Sequence, residues 1–290
     1  MIQVLFDISV LGFGMISPQV RTGVYQVVEN LARGLLTAPE VTIRFCAPAT
    51  LLHRLQARRW LIENGHERLA ATTGARDLLA PLPPVIRLLD ILYSRIIGRG
   101  QARTPDDALP GKWQDLLTAI NRVTTPVAKR LFPNLLLASE RIATADIYHS
   151  PFHPFPDHAR QAGGRCRFVL TVHDLIPIKF PEYFSGKNTR ALTTTLAALT
   201  PKDWVLCVSE STRQDLLEYR PDLAPERILV AHLAAAPRFA PCQDDTRLRA
   251  VRQRYGIPGD VPYVLGLGTL EPRKNVTATI RAFLALVEQE

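Results

Sequence analysis

Short apolar runs separated by longer helical stretches set the framework of this chain. The runs are Val4–Val10, Val41–Ala47, Asp146–Ser150, Phe168–Val172, Trp204–Val208, Ile228–Leu233 and Tyr263–Leu267. Several are β-branched and uncharged, the pattern of strands buried on both faces of a parallel sheet. Between them, Thr22–Leu36 puts Val24, Val27, Val28, Leu31 and Leu35 on one helical face. Ser209–Tyr219 opens with a hydroxyl cap pattern at Ser209 or Ser211. The alternation predicts an α/β fold with a doubly wound, Rossmann-like parallel sheet. Prolines punctuate 72–145, and Gln101–Pro110 has the composition of an exposed loop; residues from about 50 to 145 are expected to be a helical insertion in a first lobe, 1–236. A linker is expected over 237–261, followed by a strand at Tyr263–Leu267 and a helix from about Asn275. One strand and one helix cannot bury a core of their own. Residues 262–290 are therefore expected to be the incomplete start of a second lobe, exposing Ile280, Phe283, Leu284 and Val287 and driving loose packing or association.

Composition narrows the class. The chain is 47% hydrophobic and 21% charged, as a globular protein is and a disordered one is not. Cys46, Cys166, Cys207 and Cys242 form no CxxC pair, which argues for free thiols in a reducing compartment. The first residues lack a basic leader region and read at once as a strand, so a cytoplasmic location is expected. The net charge is +8, and residues 51–145 hold 14 Lys and Arg against 8 Asp and Glu. No RNP aromatics, zinc finger or dense basic block accompanies that charge, which counts against nucleic acid. Val85–Arg103 mixes apolar residues with Arg87, Arg95, Arg99 and Arg103. It suits a basic amphipathic segment at the inner face of a membrane, and equally a core-facing helix with a solvated side.

Candidate chemistry concentrates at strand ends. Gly268-Thr269-Leu270-Glu271-Pro272-Arg273-Lys274-Asn275 lies between an apolar run and a helix, where backbone N–H groups and the helix dipole favour phosphate. Arg273 and Lys274 add positive charge there; a surface turn with two solvated bases fits the same pattern. Gly23 opens a helix and, lacking a Cβ, lets a ligand approach the backbone or simply eases helix entry. Gly12-Phe13-Gly14 is a poor dinucleotide fingerprint, since Ser17 and Pro18 follow and the second strand ends without an acid for a ribose. His149, His153 and His158 are interrupted by Pro151, Pro154 and Pro156, so no helix presents them together as metal ligands. Asp-x-Asp, a Walker loop and GxSxG are absent from the sequence.

Five blocks in order resemble the retaining glycosyltransferases of family 4, which have the two-lobed GT-B architecture. They are Arg21-Thr22-Gly23-Val24-Tyr25, Asp146–Pro151, Thr171-Val172-His173-Asp174-Leu175-Ile176-Pro177 with Phe180-Pro181-Glu182, Val208–Leu216, and Gly268–Asn275. The resemblance implies transfer of a hexosyl group, mannosyl first, from a GDP- or UDP-sugar to a glycan or lipid-linked acceptor, with retention and without a metal or other cofactor. It implies that His173 contacts the transferred sugar, and that Gly23, Arg273 and Lys274 bind the donor. Thr22, Asp174, Ser209, Glu271 and Asn275 are supporting candidates, with Asp174 more structural than catalytic. The chain departs from the family at Thr269, where many members carry an arginine; Arg273 is then the substitute charge. The family's Glu-x7-Glu element would lie beyond residue 290. A catalytically silent module that binds the acceptor or a partner is the alternative, and a membrane-recruited scaffold using 85–103 a third.

Overall fold

The computed structural model describes residues 1–17, 21, 23–70, 137–162, 164–236, 239–259 and 261–288, with isolated positions 119, 122, 123 and 126. Val85–Arg103 and Gln101–Pro110 lie outside the described residues. Six strands make one sheet: β1 (Ile2–Asp7), β2 (Val41–Cys46), β3 (Ile147–Ser150), β4 (Arg167–Val172), β5 (Trp204–Cys207) and β6 (Ile228–Val230). Their order is β2-β1-β3-β4-β5-β6, and every described pair is parallel. The order reverses direction between β1 and β3. All carboxyl ends therefore share one edge, with a topological switch point at the β1/β3 boundary, where open α/β sheets bind ligands.

Alternation along β1 divides the core. Val4 and Phe6 face a cluster containing Phe45, Ala57, Trp60 and Leu61, whereas Leu5 faces one containing Tyr148, Leu170, Val172, Val205 and Leu216. The sheet is thus covered on both sides, which explains the unalternating apolar runs. On the first face lie α1 (Ser9–Ile16), α2 (Gly23–Thr37) and α3 (Leu51–Glu63), followed by the short α4 (Glu67–Ala70). Further along come α5 (Ser139–Ala143), α6 (Ile176–Lys179), α7 (Gly186–Ala197), α8 (Glu210–Tyr219), α9 (Asp245–Arg254) and α10 (Val276–Val287).

Several boundaries differ from the sequence expectation. The first strand stops at Asp7, not Val10, because the Asp7 carboxylate accepts from the Ser9 amide at 2.8 Å and turns the chain into α1. Residues 51–63, assigned to an insertion, belong to the core: Trp60 and Leu61 are fully buried. The β6 strand ends at Val230, leaving Leu233 exposed. Tyr263–Leu267 is no strand. It has no ladder partner among the described residues, and Leu267 is 95% exposed; an apolar run becomes a strand only where a neighbour takes its backbone groups. The helix after it does form, as α10, with Ile280, Phe283, Leu284 and Val287 exposed. No helix among the described residues is long and apolar enough to cross a membrane.

Candidate active site

The carboxyl edge of the sheet collects the chemically capable side chains. At the end of β4, half-buried His173 places Nε2 2.9 Å from the carbonyl oxygen of Pro151, which follows β3. A carbonyl only accepts, so Nε2 carries the proton and Nδ1 of the neutral ring keeps a free lone pair. Burial pushes the His173 pKa down, opposed by the Pro151 bond and the Asp174 charge. The ring is therefore neutral near pH 7 and suited to accept a hydrogen bond from a hydroxyl.

Its neighbours hold it in place. The Thr212 hydroxyl, in the first turn of α8, donates to the His173 carbonyl at 3.2 Å. Ser209 caps that helix, its Oγ accepting from the Thr212 amide at 3.1 Å. Ser209, not Ser211, is thus the cap, and it supports His173 through Thr212. The Asp174 carboxylate accepts from the Ile176 amide at 3.1 Å in the turn that leads into α6. His149 is a satisfied core residue: its Nε2 lies 2.9 Å from the Thr171 hydroxyl, Phe6 packs edge-on at 5.1 Å, and burial pushes its pKa down to about 4.

At the switch point the structure adds residues that the sequence did not single out. Asp7 ends β1 fully buried; burial raises its pKa to about 6, and its Oδ2 meets no hydrogen-bond partner. Ser9 Oγ accepts from the Ala49 amide at 3.2 Å. Phe13 of α1 lies 5.2 Å from His53 of α3, which lies 6.2 Å from His153. His153 meets Phe152 at 5.2 Å, and Phe152 meets His173 at 6.3 Å. Burial, with His153 as a smaller cause, pushes the His53 pKa down to about 3. The signal for Asp7 was available in principle, as an acid closing an apolar strand. Nothing in the sequence linked Phe13, His53 and Phe152, which come from three elements.

The glycines of the first turn have packing roles. An added Cβ at Gly12 would lie 2.0 Å from the His53 carbonyl oxygen, and one at Gly14 would lie 2.3 Å from the Tyr25 ring. They allow α1 to press on α3 and α2, and the structure gives them no phosphate role. Gly23, at the start of α2, differs: an added Cβ there would meet nothing within 4 Å. Arg21 braces this entry, its Nε donating to the Gly14 carbonyl at 2.9 Å and its guanidinium lying 5.6 Å from the Tyr25 ring centre. Thr22 lies outside the described residues.

The later candidates form a separate group. Arg273 Nε donates to Glu271 at 2.6 Å, and the guanidinium stacks on Phe184 at 5.4 Å. Hydrogen bonding from Thr269, then from Arg273, lowers the Glu271 pKa. Lys274 is exposed. Asn275 adopts the left-handed conformation, φ 48°, between the Pro272–Lys274 turn and α10; asparagine tolerates it better than most residues. Two cations thus precede a helix whose first turn holds no acid. The structure brings Asp174, Ser209 and His173 together; the recorded contacts of Arg273 are to Glu271 and Phe184, not to His173. Among the described residues, no group of three or more His, Cys, Asp or Glu side chains is arranged to hold a metal ion.

Comparison with known proteins fits this layout. The chain is 32% identical over 121 residues to the serotype-specific mannosyltransferase WbdA of Escherichia coli, a match spanning 41% of this chain and 14% of WbdA. It is 28% identical over 141 residues to the O-antigen chain mannosyltransferase B of Escherichia coli, spanning 48% of this chain and 35% of that protein. The chain therefore covers only a minor part of the length of these relatives. No solved structure gives a significant match. The profile of Glycosyltransferase Family 4 aligns with residues 21–234, from the entry to α2 to just past β6. Since that span holds five of the six strands and every side chain fixed around His173, the chain belongs to glycosyltransferase family 4.

Proposed function

We propose that the protein transfers a hexosyl group, mannosyl first, from a nucleotide sugar to a glycan or lipid-linked acceptor, with retention of anomeric configuration, in cell-surface polysaccharide synthesis. Family membership supports glycosyl transfer, and the two Escherichia coli relatives, both named as mannosyltransferases, favour mannose. The observation that carries the site assignment is the fixed tautomer of His173, whose Nδ1 lone pair stands at the carboxyl edge of the sheet. On this reading His173 accepts a hydrogen bond from a hydroxyl of the transferred sugar. Gly23 opens the α2 backbone to the donor, while residues 262–290 open the donor-binding lobe. There Arg273, Lys274 and the start of α10 stabilise the leaving diphosphate. The bond from the anomeric carbon to the donor phosphate breaks. The acceptor oxygen bonds to that carbon on the same face and passes its proton to the departing phosphate oxygen.

The test is a transfer assay of the full-length protein with GDP-mannose and UDP-hexoses on mannoside acceptors, read by mass spectrometry. His173→Ala should cut kcat/KM by about 100-fold, as removal of a group hydrogen-bonded in the transition state does. An unchanged rate in a folded His173→Ala protein would remove His173 from the site. Failure of every donor would remove the transferase reading.

A further inference from the structure

The five rings running from α1 to the end of β4 have a use beyond packing. We infer that Phe13 and Phe152, linked through His53, His153 and His173, form two aromatic platforms of an acceptor ledge, each for one of two consecutive sugars of a glycan. The inference rests on the transferase reading above and extends it to the substrate. Each ring meets the next at a centroid distance between 5.2 and 6.3 Å, tilted at three of the junctions and edge-to-face, at 84°, between Phe152 and His153, all within the range of ring–ring contact. The ledge crosses the β1/β3 switch point, where ligands of such sheets bind. Solvent reaches both of its phenylalanines: Phe13 is 42% exposed and Phe152 47%.

The chemistry selects a neutral sugar. A pyranose has a C–H face that stacks on the negative face of an aromatic ring, and a rim of hydroxyls that needs nearby acceptors and donors. The ledge offers both, with solvent-exposed phenyl rings at Phe13 and Phe152 and the partly exposed imidazoles of His153 and His173 beside Phe152; His53, its Nδ1 closed to solvent, is the link between Phe13 and His153. Burial keeps His53 and His173 uncharged near pH 7, so these imidazoles do not call for an anion. None of the five residues is a fixed cation, which argues against a phosphate group as occupant. One pyranose covers one ring face. Phe13 and Phe152 are separated by His53 and His153, so they serve different sugars: Phe152, beside His173, the acceptor residue, and Phe13 the one before it.

The test compares wild type, Phe13→Ala and Phe152→Ala on methyl mannoside, mannobiose and mannotriose. Saturation-transfer NMR measures binding without donor, and transfer kinetics are measured with GDP-mannose. Wild type should bind mannobiose about 2- to 10-fold more tightly than methyl mannoside, the worth of one aromatic contact. Phe13→Ala should erase that gain and leave methyl mannoside unchanged. Phe152→Ala should weaken all three ligands, with KM rising more than kcat falls. Phe13→Tyr and Phe152→Tyr should keep wild-type affinity, which separates stacking from loss of fold. Binding that loses its length dependence in Phe13→Ala, without transfer from any donor, would uphold the ledge and sink the transferase reading. Folded alanine variants that bind and use mannobiose like wild type would overturn the ledge and leave that reading intact.

Discussion

Gly12→Ala sets two effects of opposite sign against each other. In a helix interior, alanine is better than glycine by about 0.5–1 kcal/mol, because glycine loses more backbone freedom on folding. Gly12, however, sits where α1 meets α3. The new Cβ would lie 2.0 Å from the His53 carbonyl oxygen, 2.8 Å from its carbon and 2.9 Å from the Ala57 nitrogen. All three are backbone atoms of α3, so no rotamer change relieves the contact; the helices must part by about an ångström. Overpacking of this kind costs about 1–3 kcal/mol and occasionally more. A 2.0 Å approach to backbone puts the clash at the upper end, about 3 kcal/mol, so it wins, with a net loss of about 2 kcal/mol and a fall in Tm of about 4–8 °C. Gly34 in α2 is the internal control, since an added Cβ there meets nothing within 4 Å. Gly34→Ala should gain up to about 1 kcal/mol and raise Tm by about 2–4 °C. Differential scanning calorimetry of the two variants beside wild type decides the matter. If Gly12→Ala is neutral or stabilising, or if it weakens donor binding at unchanged Tm, the packing account of Gly12 is wrong.

Other expectations follow from the same geometry. His149 and His53 have folded pKa values of about 4 and about 3, below the usual 6.5, so the folded state binds fewer protons; their stability contribution is full above pH 6.5 and lost as pH falls toward those values. Asp7 acts oppositely. Its pKa of about 6 lies above 3.8, so its contribution is full below pH 3.8 and lost as pH rises through 6. Urea unfolding between pH 7 and 4 should therefore show a steeper loss of stability in Asp7→Asn than in wild type, and parallel curves would refute the assignment. Arg160 grips buried Asp203 through two bonds of 2.7 Å and stacks on Phe155 and Phe168. Asp203→Ala should cost about 3 kcal/mol in denaturant unfolding, because it also frees the Thr200 amide; a loss under 1 kcal/mol would refute that role. Asp174→Ala should lower stability by about 1 kcal/mol and leave kcat within a few-fold of wild type, and a kcat loss as large as that of His173→Ala would make Asp174 catalytic.

The sheet was legible in the sequence because strands covered on both faces leave unbroken apolar runs, and α2 because its burial follows the helical period. The first turn was not. Ser9–Ile16 is apolar all round, so no period separates it from the strand before it, and the boundary is set by the side chain of Asp7. Tyr263–Leu267 misled for the opposite reason, since composition favours a strand but pairing depends on neighbours. At the proposed site, the positions of His173, Asp174 and Ser209 were readable because each sits at a strand end or a helix entry. Phe13, His53 and Phe152 were not, because a ledge built from three elements exists only after the sheet has brought them together.

The account rests on hexosyl transfer with retention, and the anomeric signal of the product tests that most directly. The full-length protein should be incubated with GDP-α-mannose and mannobiose, with EDTA present, and the new linkage read by proton NMR. An α-linked product would meet the prediction. A β-linked product, or transfer that returns only when a divalent metal is restored, would contradict it.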